Sequence, residues 1–266
     1  MRKALTLELR EITRKVMAAL EAKSGYPVEV MEDADLPTLA TIRIPRGLIP
    51  AHILMYKPGD KTETPDYVIC WQCSMAMRTF DCPPEQRFVI GSTPTGAQEV
   101  ERLLNSPNGV VQRYGLDAQH LLELRSQLLD GIITHLRSVP IGLRVSETLT
   151  LEYPELLDLE EKNVEKELAI ASESLSDQIR ELMPEAVFNS TQNINAAYAL
   201  FWAARLEKPE IVNPFRLNRF EVQGQKLLDI YESVPNDPAH DYELIDKWAE
   251  FLNIRSWYKW MPYSPP

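Results

Sequence analysis

The pattern of apolar and polar residues along the chain changes once, near residue 92. Before that point, an amphipathic helix over residues 4–23 is followed by three short β-prone runs. These runs are Tyr26–Val30, Thr38–Ile44 and Ala51–Tyr56. Beyond them, apolar residues recur almost entirely at helical spacing. The pattern therefore predicts an α+β protein, with a small mixed or antiparallel sheet and helices in residues 1–92 and a helical module over residues 93–266.

Spacing also predicts the individual helices of the second module. They cover residues 118–136, 154–182, 189–206, 220–231 and 242–252. The Val139-Pro140 pair is expected to separate the first of these from a shorter helix near residues 143–153. Residues 189–206 are apolar nearly all round, which predicts a central helix capped by Ser190 or Thr191. Asp241 is the expected N-cap of the last helix.

The stretch from Asp66 to Phe80 is almost continuously apolar, with Gln72 as the strongly polar side chain in its middle. Its length is far above the usual five or six residues of a strand, so a buried helix is predicted. The three cysteines of the chain lie in this stretch or just beyond it, at Cys70, Cys73 and Cys82.

The order of helix, small sheet, polar loop and buried helix in residues 1–105 resembles the zinc-peptidase scaffold of the ImmA/IrrE-like gluzincins. In that family the buried helix carries His-Glu-x-x-His, which supplies two zinc ligands and a general base. In this chain the corresponding positions hold Trp71, Gln72 and Met75. An indole, an amide and a thioether cannot replace these groups. The resemblance implies a degenerate peptidase-like module that binds protein or peptide without catalysis, beside Trp71, Gln72, Met75 and Arg78.

Two alternative functions remain open at this stage. One is a hydrolase that uses carboxylates such as Glu147 and Glu152 together with His135, in a site between the two modules. The other is a thiol or structural-metal protein that uses Cys70, Cys73 and Cys82. The apolar surroundings of the Cys-x-x-Cys pair favour buried, unreactive cysteines over both uses. No cofactor and no metal ligand set is predicted.

Three amide side chains, those of Gln192, Asn193 and Asn195, precede the most apolar part of a helix that is expected to be buried. Buried amides need hydrogen-bond partners. We expect these three to bind either backbone groups of the first module or a ligand.

The C-terminal segment is rich in aromatic residues, at Trp257, Tyr258, Trp260 and Tyr263. A free segment of this composition would expose a large apolar patch. It is therefore expected to dock on the protein itself, with an interface to a partner protein or to a second copy of the chain as the alternative.

Charge and composition narrow the classes of function. The 266 residues carry a formal charge of -11, which disfavours binding to nucleic acid. Three cysteines argue against a disulfide framework, and the chain shows neither a signal peptide nor an apolar run that could span a membrane. A cytoplasmic protein without membrane contact is therefore expected. The chain also lacks a Walker A loop and a G-x-G-x-x-G motif, which disfavours common nucleotide enzymes.

Overall fold

The structure, a computed structural model, describes residues 9–36, 38–58, 65–106 and 109–266. The first part of the predicted helix 4–23 lies outside these residues. Contacts within the chain divide it into two compact units. The first unit contains residues 1–88, 144–163 and 262–266, and the second contains residues 89–143 and 164–261. The sequence pattern predicted a single boundary near residue 92, whereas the contacts assign two later segments to the first unit.

The first unit begins with helix α1 (Glu11–Ser24), which ends where Gly25 takes a left-handed conformation with φ of 81°. Three strands follow, and they form the predicted small sheet. They are β1 (Val28–Glu32), β2 (Ala40–Arg43) and β3 (His52–Tyr56). The central strand β3 pairs with β1 in parallel and with β2 antiparallel, so the sheet is mixed.

Helix α2 (Asp66–Asp81) confirms the helix predicted for this stretch. Its buried residues recur every three or four positions and define one face. They include Ile69, Cys73, Ala76 and Phe80. The same unit holds the last part of a long helix, α5, whose residues 144–152 belong to it.

The second unit is mainly helical. Its elements, in chain order, are β4 (Phe88–Ser92), α3 (Pro94–Leu104), α4 (Val110–Tyr114), α5 (Ala118–Glu152), α6 (Leu157–Glu173), α7 (Asp177–Leu182), α8 (Glu185–Arg205), α9 (Asn213–Leu217), α10 (Glu221–Ser233), α11 (Asp241–Phe251) and β5 (Tyr258–Pro262). Strands β4 and β5 pair in a two-stranded sheet. Parts of four of these elements belong to the first unit, namely residues 144–152 of α5, residues 157–163 of α6, Phe88 of β4 and Pro262 of β5. The α+β class and the helical C-terminal region are as predicted.

Helix α8 lies at the centre of the second unit, as its apolar composition predicts. Phe188, Ala196 and Trp202 belong to a buried cluster that also receives side chains from α6 and α9. Helix α10 packs closely against it at Gly224, where an added Cβ would lie 2.7 Å from the Cβ of Ala196. This close approach requires glycine at position 224.

Helix α5 corrects one prediction, because it runs through Pro140 without interruption. A proline inside a helix costs about 3 kcal/mol. Leu136 and Leu143, on either side of it, are both 0% exposed. Burying two such side chains contributes about 1.5–3 kcal/mol each, which offsets the proline.

Three helix boundaries also differ from the predictions. The single helix expected over residues 154–182 is divided into α6 and α7 by a break at residues 174–176. Helix α8 begins at Glu185 after Pro184, and not at Ser190 or Thr191, because proline holds the preceding residue in an extended conformation. Asp241 is the first residue of α11 and not its N-cap, which is His240.

Helices α5 and α8 are the longest of the elements named above, and neither qualifies as a membrane span. More generally, no helix in the described part of the chain is long and apolar enough to cross a membrane.

Candidate functional site

The two polar side chains at the peptidase-motif positions of α2 bind the protein itself. The indole Nε1 of Trp71 donates a hydrogen bond to Ser146 Oγ at 3.2 Å. The amide Nε2 of Gln72 donates to the backbone carbonyl of Ala40 in β2 at 2.9 Å. Met75 and Arg78 are partly exposed on the same helix. Trp71 and Gln72 therefore fix α2 within the first unit.

The three cysteines are buried, and the surroundings of Cys70 and Cys73 keep their thiols protonated. Burial raises the pKa of Cys70 to about 12 and also raises the pKa of Cys73. A protonated thiol is neither a good nucleophile nor a metal ligand. Within the described ranges, no three His, Cys, Asp or Glu side chains are placed to hold a metal ion.

Two histidines occupy similar environments in the two units. In the first unit, His52 Nε2 lies 2.9 Å from Ser24 Oγ, and burial lowers the pKa of His52 to about 4. In the second unit, His135 Nε2 lies 2.8 Å from Asn195 Oδ1, and burial again lowers the pKa to about 4. Both imidazoles are therefore neutral at pH 7, and each has a hydrogen-bond partner within its own unit.

Gln192 and Asn195 form a polar network on the inner face of α8, within the second unit. Gln192 Nε2 donates to the backbone carbonyl of Ser174 at 3.0 Å. Asn195 Nδ2 donates to Ser174 Oγ at 3.3 Å and to Gln192 Oε1 at 3.2 Å. Ser174 lies at the break between α6 and α7, so the network satisfies a carbonyl group that the ended helix leaves free. The expectation that Gln192 and Asn195 bind the first module or a ligand is therefore wrong, because their partners lie in the second unit, at the break after α6.

Asn193 differs from these two neighbours. Its Oδ1 atom is buried, and no hydrogen bond joins that atom to any residue in the described part of the chain. The side chain lines a cavity of 630 Å³ in the second unit, which we call the α8 cavity. Its lining residues are Thr95, Glu99, Arg102, Leu103, Ala186, Asn189, Ser190, Asn193, Gln223, Phe251, Leu252, Asn253, Ile254, Ser256 and Trp257.

Helical periodicity explains which residues line the α8 cavity. Helix α8 contributes Ala186, Asn189, Ser190 and Asn193, at relative positions 0, 3, 4 and 7, which form one stripe of its surface. Helix α3 contributes a corresponding stripe from Thr95 to Leu103. Carboxamides come from both α8 and α10, the latter through Gln223.

The two charged residues of the lining are paired with each other. Arg102 donates from Nε to Glu99 Oε2 at 2.9 Å and from Nη2 to Glu99 Oε1 at 2.6 Å. These hydrogen bonds hold the pKa of Glu99 below its usual range. The pair is bidentate and carries no net charge, so the polar character of the α8 cavity comes mainly from amides and hydroxyls.

The C-terminal part of the second unit forms another wall of the α8 cavity. Asn253 has a φ of 60°, and Ile254 N donates to Ala249 O at 2.9 Å. These features form the left-handed end of α11, which asparagine tolerates well. Trp257 packs on the start of α3, where a Cβ added at Gly96 would lie 2.7 Å from its Cα.

The aromatic residues of the C-terminal segment are held by the protein itself. Tyr258 and Trp260 donate to Asp246 Oδ1 at 2.5 and 2.9 Å in the second unit. Trp257 and Tyr258 are buried. In the first unit, Tyr263 donates from its hydroxyl to the carbonyl of Pro45 at 2.7 Å. Of the four aromatic side chains, those of Trp257, Tyr258 and Tyr263 are buried, and that of Trp260 is partly exposed.

The sequence pattern singled out Asn193 but not the residues beside it in the α8 cavity. Asn189, Gln223 and Asn253 belong to three different helices or their ends, which spacing along the chain does not connect. The stripe from Ala186 to Asn193 was the available signal, because its small and polar residues interrupt an otherwise apolar helix. Comparisons with known protein families, characterised proteins and solved structures find no match for the chain.

Proposed function

We propose that the protein is a non-catalytic binding protein that takes a polypeptide segment of a partner into the α8 cavity. The observation that carries this proposal is the lining of that cavity, where carboxamide and hydroxyl side chains stand beside apolar ones. Polar groups of this kind orient a ligand, and the apolar groups provide contact area.

The size and composition of the α8 cavity suit such a ligand. Its 630 Å³ lies within the range of about 300–1,000 Å³ that is usual for ligand sites. Apolar contact surface comes mainly from Leu103 and Phe251, which are partly exposed, while Leu252, Ile254 and Trp257 are buried in the lining. Carboxamides and hydroxyls provide directional hydrogen bonds around them, as in other sites that bind peptides.

The lining offers little for catalysis. It contains neither histidine nor cysteine, and its carboxylate, Glu99, is paired with Arg102. General acid–base catalysis needs a group whose pKa lies near the working pH. The resemblance of residues 1–105 to gluzincins supports a non-catalytic role, since Trp71 and Gln72, at the positions of a zinc ligand and the base, bind the chain itself.

Selection of peptides tests the proposal. A phage-displayed library of random heptapeptides is selected on the purified full chain, and the enriched peptides are synthesised and titrated by calorimetry. Ala186 is exposed at the rim of the α8 cavity, so Ala186→Trp fills the site without disturbing the core. We expect this variant to bind the enriched peptides at least about tenfold more weakly.

Ala169→Trp is the matched control, because Ala169 is also exposed on a helix and does not line the α8 cavity. It should bind the peptides as the original chain does. If no peptide is enriched above background, or if both tryptophan variants bind equally well, the proposal is refuted.

A further inference from the structure

The outer edge of the small sheet in the first unit carries backbone groups that the described chain leaves without hydrogen bonds. We infer that strand β1 is a second binding site, where an extended segment of a partner protein, with lysine or arginine at alternate positions, adds to the sheet. This site lies outside the α8 cavity, so the inference goes beyond the proposed function and does not depend on it.

The direction of the backbone groups along β1 follows from the hydrogen bonds at its two ends. His52 N donates to Pro27 O at 2.8 Å, and Asp33 N donates to Tyr56 O at 3.0 Å. Successive residues of a paired strand direct their backbone groups to opposite sides. The odd-numbered residues of this segment therefore face β3, and the even-numbered residues direct their N–H and C=O groups to the outer edge of the sheet.

One of these outward groups has a partner within the first unit. Val28 N donates to Glu21 Oε1 of α1 at 2.8 Å, which agrees with the outward direction of the even-numbered residues. The remaining groups are the C=O of Val28 and the N–H and C=O of both Val30 and Glu32. Within the described ranges, no residue hydrogen-bonds to them. None of the five residues of β1 is buried, so the strand is accessible to an added one.

The opposite edge of the sheet, at β2, is covered by the protein itself. Lys57 N donates to Leu39 O at 2.8 Å, so Leu39 faces β3 and Ala40 faces away from it. The carbonyl of Ala40 accepts the hydrogen bond from Gln72 of α2 described above. Outward backbone groups at alternate residues are the groups that bind an extended chain in β-strand addition, and this comparison places that addition at β1.

The charge of the segment around β1 indicates the chemistry of the partner. Residues 28–36 read Val-Glu-Val-Met-Glu-Asp-Ala-Asp-Leu and contain no base. Opposite charges on neighbouring strands attract, so a segment with lysine or arginine fits this edge. Pairing of β1 with β1 of a second copy would bring two acidic segments together, which disfavours a second copy as the occupant.

The register of the sheet places the side chains of the partner segment. Val30 is opposite Leu54 of β3 and shares a face of the sheet with it, whereas Glu29 and Ile53 share the other face. Leu54 is buried and Ile53 is partly exposed. An added strand therefore places apolar side chains on the face of Val30 and basic side chains on the face of Glu29, which alternate along the strand.

Two synthetic peptides test the inference on the full chain. They are the blocked heptapeptide Val-Lys-Val-Lys-Val-Lys-Val and its counterpart with glutamate in place of lysine. Affinity is measured by calorimetry, and exchange of the Val30 and Glu32 amide hydrogens by nuclear magnetic resonance. We expect the lysine peptide to bind at least about tenfold more tightly and to slow the exchange of both amides. Equal affinities, or binding that leaves both amides unprotected, would overturn the inference.

A pair of variants at position 30 isolates the backbone contact. Val30→Pro removes the central outward N–H, and its control, Val30→Thr, keeps it. Proline is tolerated on an edge strand where the missing N–H faces away from the ladder. We expect Val30→Pro to bind the lysine peptide at least about tenfold more weakly, and Val30→Thr to bind it as the original chain does. Equal binding by the two variants contradicts strand addition.

The charge variant Glu29→Lys remains informative if Val30→Pro loses the circular dichroism spectrum of the original chain. Glu29 is exposed, so the substitution leaves the core intact. It should weaken the lysine peptide about threefold and strengthen the glutamate peptide by a similar factor. No change for either peptide refutes the partner's charge.

Two further outcomes separate this site from its alternatives. Ala186→Trp should bind the lysine peptide as the original chain does, whereas a loss in that variant assigns the peptide to the α8 cavity and overturns the inference. Sedimentation of the chain alone should show a monomer. A dimer whose formation protects Val30 and Glu32 makes a second copy the occupant and also overturns it. Peptides selected on the α8 cavity test the proposed function independently of both results.

Discussion

Amide side chains on two faces of helix α8 differ in whether their polar atoms have hydrogen-bond partners. On the inner face, Gln192 and Asn195 are 0% and 7% exposed and are hydrogen-bonded to Ser174, to His135 and to each other. On the face that lines the α8 cavity, Asn193 has a buried oxygen without a partner in the described chain. Residues 192, 193 and 195 are almost adjacent in sequence, so their environment and not their type sets their role.

This difference separates buried amides that stabilise the fold from buried amides that are candidates for binding. An amide whose donors and acceptors are all used stabilises the fold, and its loss leaves its former partners unsatisfied. An amide with a free buried atom costs stability in the isolated protein. Such a cost is typical of a functional site, where stability is lower than the fold alone would allow.

The largest expected effect comes from Asn195→Leu, a substitution of similar size on the inner face. It leaves the imidazole Nε2 of His135 without its acceptor and removes two donors from the Ser174 network. We expect the free energy of unfolding to fall by about 2–4 kcal/mol. Urea denaturation followed by circular dichroism measures it, and a change below about 1 kcal/mol would show that the network contributes little.

Lowering the pH is expected to have an intermediate effect on the free energy of unfolding. The pKa of His135 in the folded chain is about 4, below its ordinary value of 6.5, so folding favours the neutral imidazole. The resulting stability is complete above about pH 6.5 and is lost as the pH falls through 6.5 towards 4. We therefore expect the urea midpoint to be lower at pH 5 than at pH 7.

His135→Gln, which keeps an N–H donor and does not titrate, should reduce this dependence on pH. His52 has a similarly lowered pKa in the first unit and should account for part of what remains. A pH dependence that is unchanged in His135→Gln would show that His135 does not contribute to it.

The smallest effect on stability is expected from Asn193→Leu, the matched substitution on the other face of α8. It removes a buried oxygen that has no partner within the described residues, so no internal hydrogen bond of that atom is lost. The free energy of unfolding should stay within about 1 kcal/mol of the original value or rise. A loss as large as that of Asn195→Leu in the same urea assay would remove the contrast between the two faces.

Much of the fold follows from local pattern. The length of the apolar stretch identified α2, and short β-prone runs bounded by proline and glycine identified the small sheet, whose mixed pairing the pattern left open. The helix break predicted at Pro140 was wrong, because the burial of Leu136 and Leu143 outweighs the free-energy cost of the proline. That burial depends on tertiary packing. The helix break at Ser174 was not predicted, because the side chains that hydrogen-bond to Ser174 come from Gln192 and Asn195 in helix α8.

The α8 cavity was less accessible to sequence reasoning. Asn193 was singled out together with Gln192 and Asn195, but the sequence did not separate them. Each residue turns by 100° around a helix, so separating them requires knowing which side of the helix is covered. The small and polar residues from Ala186 to Asn193 mark one stripe of α8, but the rest of the helix is apolar nearly all round, so the pattern does not show whether that stripe is covered.

The C-terminal segment has a consequence for biosynthesis. Residues 262–266 belong to the first unit, whereas β5 supplies Tyr258 and Trp260 to the second, and Ser256 and Trp257 form part of the α8 cavity. A ribosome releases these residues only after both units have otherwise been made. Neither unit acquires its full set of contacts during synthesis of residues 1–255, so the α8 cavity is completed only when Ser256 and Trp257 have been added.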